Sequence, residues 1–488
     1  MSRIRSGFLC LSVLSALAGC AHPPAALEAD YLFENVNVVP MDRPDILSDR
    51  AVAVRDGEIV AVLDGAEAGR VTADVRIDGE GRYLMPGLAD MHVHLRMAPE
   101  AFFNLNLANG VTTVINMGLG DGRGRYDHLQ LRADVAAGEI AGPRYLVSGP
   151  QIHAEQAASL EDVEAILDRH VRDGFDVLKI HGDLDPDIYD ALVEGAMARG
   201  IRMTGHGQHL MPLAQTLRMG SFQHVEELLY IAEDPDCRER ARAGFWDGYF
   251  CNLARLEDAD YRAGLVSRIA GSGVYVTPTS IIYAYLPLYL DDTSLEALQM
   301  DARLDYLPED VRSQLLDPQE NDYRGNFDAA MAHIGQDARL ANVSADPERL
   351  DDTWAEHFRR NQPVLDGLLM DMDAAGVPLL LGSDCFGGVV PGFGAHQELE
   401  RMVAAGLTPY QALRTGTVTV ADYLGEADRA GTIEAGKRAD FILLDGNPLE
   451  DVEHASRVRG VFTRGTWYPP EALARLMSDA QAALDDNG

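Results

Sequence analysis

In Asp90-Met91-His92-Val93-His94, period-two alternation puts both imidazoles on one face of a strand end, where two histidines can grip one metal ion. Two partly exposed histidines at a strand exit would produce the same pattern, so the pair gains meaning only from other residues. Four further apolar segments end in a side chain able to bind a metal: Lys179, His206, His224 and Asp384. These groups lie far apart in the chain, and an architecture that gathers strand ends around one axis would bring them together.

The middle of the chain, from about Pro86 to Gly425, has the rhythm of such an architecture, alternating short apolar runs with helical periodicity. Eight runs read as strands: Leu88–His94, Val111–Met117, Arg144–Gly149, Asp176–His181, Ile201–His206, Ser221–Val225, Val274–Pro278 and Val377–Asp384. Ser159 and Asp162 open a helix through Asp173, and Pro186 opens another that Gly200 closes. The fold class expected is α/β, a TIM-like (β/α)8 barrel with its site at the carboxyl ends of the strands. One connection, about 280–360, is far longer than an ordinary βα loop and reads as a helical insertion that lids the mouth or makes an oligomer contact. Short strands at both ends, around Asp56-Gly57 and in Ala439–Leu444 and Val458–Phe462, suggest one small β-sandwich built from 31–86 and 426–468. The barrel then occupies 87–425, and 469–488 form a terminal helix or tail.

The 488 residues are 47% hydrophobic and 24% charged, enough to bury a large core and unlike a disordered tail or a small disulfide scaffold. Lys+Arg 41 against Asp+Glu 77 gives a net charge of −36, which repels nucleic-acid phosphates and anionic membrane surfaces, so no nucleic-acid partner is expected. Arg3 and Arg5 precede an apolar run, Gly7 to Leu17, too short to span a bilayer, followed by Leu17-Ala18-Gly19-Cys20. That pattern resembles a bacterial lipoprotein signal over residues 1–19. The resemblance implies lipidation of Cys20, a tether over 20–30, and a place on the periplasmic side of the outer membrane held by the anchor alone. An ordinary secretory signal cut near Ala18 or Ala21 is the alternative, and both export the protein. Among the remaining cysteines, Cys237 and Cys251 can pair in an oxidising compartment, leaving Cys385 free.

The chain resembles the amidohydrolase superfamily, near its imidazolonepropionase-like and prolidase-like branch. The resemblance rests on Pro86-Gly-Leu-Ala-Asp-Met-His-Val-His94, Asn109-Gly-Val-Thr-Thr-Val114, Gly142-Pro-Arg144, Asp176-Val-Leu-Lys-Ile180, His206, Gln223-His224, Leu381-Gly-Ser-Asp384 and Gly431-Thr-Ile-Glu-Ala-Gly-Lys-Arg-Ala-Asp440. It implies two divalent cations, zinc being the expected element. His92, His94 and Asp384 would hold one, His206 and His224 the other, and Lys179 would bridge them as a carbamate made with CO₂. A carbamate suits the place, since an ammonium beside two cations would be repelled. The alternative for Lys179 is pairing with Asp183 or Glu226, which would leave a mononuclear site.

The mechanism implied is metal-activated hydroxide attacking a scissile carbonyl, with Asp384 as general base and then general acid. Asp90 could orient an imidazole from behind. His153, His181, His396 and Tyr230 are candidates for substrate contact, although a solvated strand-end histidine would explain His181 equally and core packing would explain Tyr230 better. The function expected is hydrolysis of a C–N bond in a small or dipeptide-like substrate. A mononuclear cyclic-amide hydrolase or deaminase is one alternative, and a lipid-anchored binding protein on a barrel scaffold is another. Pro150-Gln-Ile-His153 and Asn116-Met117 depart from the usual family loops, which bears on substrate rather than on chemistry.

Overall fold

The computed structural model describes residues 27–118, 126–231, 233–317, 353–385 and 387–485. The signal region, Cys20 and the start of the tether lie outside the described residues, as does the middle of the long insertion. The strands, in chain order, are β1 (Leu27–Val38), β2 (Leu47–Arg55), β3 (Glu58–Asp64), β4 (Val71–Asp78), β5 (Tyr83–Pro86), β6 (Leu88–Val93), β7 (Val111–Asn116), β8 (Arg144–Val147), β9 (Leu178–Ile180), β10 (Met203–Gly205), β11 (Ser221–Gln223), β12 (Tyr275–Thr277), β13 (Phe441–Leu444), β14 (Val458–Thr463) and β15 (Thr466–Tyr468).

The central strands pair in parallel as two sheets, β6-β7-β8 and β12-β11-β10-β9, rather than as the single closed sheet expected. Isolated parallel bridges, Ser148 to Val177 and Ile152 to Ile180, join the two. Every residue of β6 and β7 is buried, as befits strands covered on both faces. The eighth segment, Val377 to Asp384, makes one bridge, Leu379 to Val276, and no ladder. It still bonds on both flanks. Leu380 N–H donates to Val276 O on one side, while Met91 N–H donates to Leu381 O and Asp384 N–H to His92 O on the other. The interruption has local causes: Pro378 has no N–H to give, and Asp384 leaves the extended region at φ +59°.

Both ends of the chain meet in one eight-stranded mixed sheet, β15-β14-β13-β5-β1-β2-β3 with β4 also on β1, where a two-sheet sandwich was expected. The long β1 explains this. Its first half pairs with β4 and its second with β5, the change coming after Asn35, at φ +54°. β1 also opens at Leu27, inside the stretch read as tether, because Leu27 already pairs with Val71. Antiparallel pairing of β13 with β5 ties the carboxyl end to the amino end, and Phe33, Phe441, Phe462 and Trp467 pack edge-on beneath it.

The described part of the insertion is helical: Ser280–Leu290, Asp292–Leu298 and Glu309–Leu316 precede Trp354–Ala374. His357, on helix Trp354–Ala374, is buried with its Nε2 2.9 Å from Tyr249 Oη. Cys237 and Cys251 form a disulfide between helices Pro235–Ala243 and Phe245–Leu256. Cys251→Ser is expected to lower stability by about 2–4 kcal/mol. Denaturant titration would measure that loss, and an unlinked pair in non-reducing peptide maps would contradict it.

Candidate metal centre

The ends of β6, β9, β10 and β11 and the eighth segment converge, bringing His92, His94, Lys179, His206, His224 and Asp384 into one cluster. The ring centroids of His92 and His224 are 4.7 Å apart, and those of His206 and His224 4.4 Å. One ligand atom from each of His92, His224 and Asp384 lies within 4.8 Å of the others, a spacing able to hold a metal ion. Two of these residues have backbones that β-strands do not supply: His224 sits at φ +69° and Asp384 at φ +59°. Such positions cost energy in non-glycine residues and cluster at functional sites.

The hydrogen bonds behind the four imidazoles determine which nitrogen faces inward. Gly118 O can only accept, so His94 Nδ1 carries the proton it donates across 2.9 Å. Gln223 gives its amide N–H to Thr204 Oγ1, which leaves Oε1 to accept from His92 Nδ1 at 2.7 Å. Thr279 spends its hydroxyl proton on Pro278 O, so its oxygen accepts from His224 Nδ1, also at 2.7 Å. The Glu227 carboxylate accepts from His206 Nδ1 at 2.7 Å. All four rings are thereby left with a bare Nε2, the arrangement that a hydrogen bond from the other ring nitrogen imposes on metal-binding histidines. Burial, the largest cause, keeps His92, His206 and His224 far below the usual imidazole range and therefore neutral.

The cluster fits a divalent cation. His92 Nε2 and His94 Nε2 face each other at 3.3 Å, and Asp384 Oδ1 lies 3.4 and 3.2 Å from them. Three lone pairs at such spacing repel unless a positive charge sits among them, and ligands about 2.0–2.1 Å from a tetrahedral zinc are about 3.3 Å apart. His224 Nε2 and Lys179 Nζ are both buried without a hydrogen-bond partner. The alternative pairing of Lys179 with Asp183 or Glu226 is not formed: those carboxylates face His209 and His224. Burial lowers the Lys179 amine to about 8, against the opposing pull of Asp384 and Glu227. Burial raises Asp384, but the surrounding His94 and His224 side chains and the Lys179 ammonium outweigh it and hold the carboxyl below its usual range.

Asp90 serves the backbone rather than an imidazole. Fully buried, it accepts from Ser383 N–H at 3.0 Å, Ser383 Oγ at 2.6 Å and His92 N–H at 3.1 Å, tying β6 to the residue before Asp384. Among the substrate candidates, His181 stacks 4.2 Å from His206 and 4.7 Å from His153, so both extend the imidazole row. Burial, then the charge of Lys179, depresses His181 to about 4. Tyr230 lies 5.5 Å from His209, whose Nε2 donates to Glu227 at 2.6 Å. Burial opposes protonation of His209, yet Asp183 and Glu227 carry it up to about 10. His396 takes a different place: it is buried on helix Phe393–Ala405 and bonded to Asn109 O, at the end of helix Pro99–Ala108.

Sequence reading missed the residues behind the rings: Gln223, Thr279, Glu227 and the Gly118 carbonyl. Gln223 was visible beside His224, but nothing local says that it reaches His92 on another strand. Gln223→Leu is expected to weaken metal binding by about 10–100-fold with the fold intact. Chelator competition would measure this, and unchanged affinity would remove Gln223 from the site.

A model of the Amidohydrolase family matches residues 83–468. An imidazolonepropionase from Desulfotalea psychrophila is 26% identical over 438 residues, 85% of this chain and 91% of that protein. Adenine deaminase 2 from Shouchella clausii is 37% identical over 93 residues, 18% of this chain and only 16% of that protein. Among solved structures, a Xaa-Pro dipeptidase with methionine bound in its active site superposes with a TM-score of 0.60 at 18% identity, covering 90% of this chain and 99% of the other. Bottromycin amidohydrolase gives a TM-score of 0.65 at 22% identity, covering 93% and 90%. These structural likenesses concern the fold. Since the matched residues 83–468 include every member of the ligand cluster, the chain belongs to the amidohydrolase family.

Proposed function

We propose that this amidohydrolase is a binuclear hydrolase that cleaves the C–N bond of a small peptide-like or N-acyl amino acid substrate. The observation that carries the reading is the unpartnered Lys179 Nζ, fully buried among four imidazoles and Asp384. As a carbamate, Lys179 would supply two anionic oxygens between His92, His94 and Asp384 on one side and His206 and His224 on the other. A pair of divalent cations, zinc by the nitrogen-rich donor set, lowers the pKa of water and polarises a carbonyl when bound. Asp384 accepts the proton of the attacking water and passes it to the departing amine, acting as base and then as acid. His153, His181 and Tyr230 flank the cluster and are assigned to substrate contact. The order of the central strands, with the eighth segment hydrogen-bonded on both flanks, supports a TIM-like (β/α)8 reading of the fold.

The test is metal content together with turnover of a panel of dipeptides and N-acyl amino acids. About two metals per chain and hydrolysis within the panel are expected; one metal, indifferent to Lys179, would overturn the binuclear reading. A mononuclear cyclic-amide hydrolase is the second reading, favoured by the likeness to imidazolonepropionase over 85% of the chain. For location, the residues up to Cys20 support a lipid anchor on the periplasmic side of the outer membrane. Cys20→Ala should then release the protein from membranes, and persistent membrane attachment would sink the anchor. No helix among the described residues is long and apolar enough to cross a membrane.

A further inference from the structure

Helix Ser280–Leu290 begins in an unusual way. Its N-cap residue, Thr279, lies in the left-handed region at φ +47°, ψ 37°, and makes no side-chain bond to the helix it opens. A threonine at a helix start ordinarily has an extended backbone and turns its oxygen to the free amides of the first turn. A β-branched residue at positive φ is an outlier that its surroundings must hold in place. Here the hydroxyl is committed elsewhere, accepting from His224 Nδ1 at 2.7 Å and donating to Pro278 O at 2.8 Å.

The amides left over are taken by a residue far away in sequence. Glu398, on helix Phe393–Ala405, is fully buried, and its two carboxylate oxygens accept from Ser280 N–H at 2.9 Å and Ile281 N–H at 2.7 Å. Burying a carboxylate completely is costly unless it is well paired. An ordinary cap, supplied by Thr279 itself, would have avoided that cost.

We propose that Glu398 is a positioning residue for the metal centre: by capping helix Ser280–Leu290 in place of Thr279, it frees the Thr279 hydroxyl to fix His224 with its Nε2 bare. Glu398 touches no reacting atom and acts through Thr279. The proposal rests on the assignment of His224 as a metal ligand and adds a residue that the ligand pattern does not contain. Asp90 offers a parallel, since it holds Ser383 beside the other positive-φ ligand, Asp384.

The test compares wild type with Glu398→Gln, Thr279→Ala and the double variant. In metal-free protein, ¹⁵N-histidine spectra should show the His224 Nδ1–H tautomer with a protected proton in wild type, and a tautomer mixture with faster proton exchange in Glu398→Gln. This readout needs neither metal nor activity, so it stands apart from the binuclear reading, whose failure would appear as a wrong metal count in wild type. In chelator competition with zinc, each single variant should lose about 10–100-fold in affinity for the ion assigned to His206 and His224. The double variant should lose little more than either single variant, because both act through one hydrogen bond. Full additivity, or an unchanged His224 signal in folded Glu398→Gln, would overturn the proposal and leave Glu398 a helix cap. Should Glu398→Gln fail to fold, Glu398→Asp keeps the charge but draws the oxygens back from both amides, and the same readouts decide.

Discussion

Asp384→Asn should lower kcat on the order of 10²–10⁴-fold or more while the bound metal stays in place. The substitution keeps the shape of the side chain, and asparagine tolerates the left-handed backbone at φ +59° better than other non-glycine residues do. It removes only the charge and the ability to take a proton. The four imidazoles keep their Nδ1 hydrogen-bond acceptors, none of which is Asp384, so their tautomers stay fixed. Asp384→Ala would be less informative, since it combines loss of the proton acceptor with backbone strain and a void between His92 and His94. Metal analysis beside single-turnover kinetics separates the two outcomes. Substantial residual turnover would sink the proton-transfer role, and loss of metal would make Asp384 chiefly a ligand.

The parts of the site that could be read from the sequence are those whose chemistry is local. The His-x-His spacing on β6 needs only strand geometry, and Lys179, His206, His224 and Asp384 each end an apolar run. What holds these groups depends on register between distant segments. Gln223 reaches His92 from a different sheet, and Glu398 looks in sequence like any polar residue on an amphipathic helix. His396 shows the same limit: a candidate for substrate contact by sequence, it is carried by helix packing to Asn109 O. The terminal β unit was recognised, but not that β1 would change partners halfway along and gather all eight strands into one sheet. The disulfide needed only two cysteines close in sequence and an oxidising compartment.

Lys179→Ala should reduce the metal content from about two ions per chain to one and abolish most turnover, because the bridging carbamate of the proposed site can then no longer form. Native mass spectrometry of the wild type should show added CO₂ that is missing from the variant. The environment explains why this lysine would react. Carbamate formation begins with attack of the neutral amine on CO₂, with loss of one proton. Burial brings the Lys179 pKa to about 8, so the neutral form predominates above that pH and falls tenfold for each unit below it. Loading of the second ion into metal-free protein at a fixed concentration of dissolved CO₂ should therefore slow as pH drops from 8 to 6, while loading of the first depends less on this group. Lys179→Glu provides a further control: it places a carboxylate near the same point without CO₂ and should recover part of the second-ion binding, now independent of bicarbonate. Two ions retained by Lys179→Ala would remove the bridge from the mechanism and move the assignment toward the mononuclear reading, with Lys179 a buried neutral amine beside a His92–His94–Asp384 site.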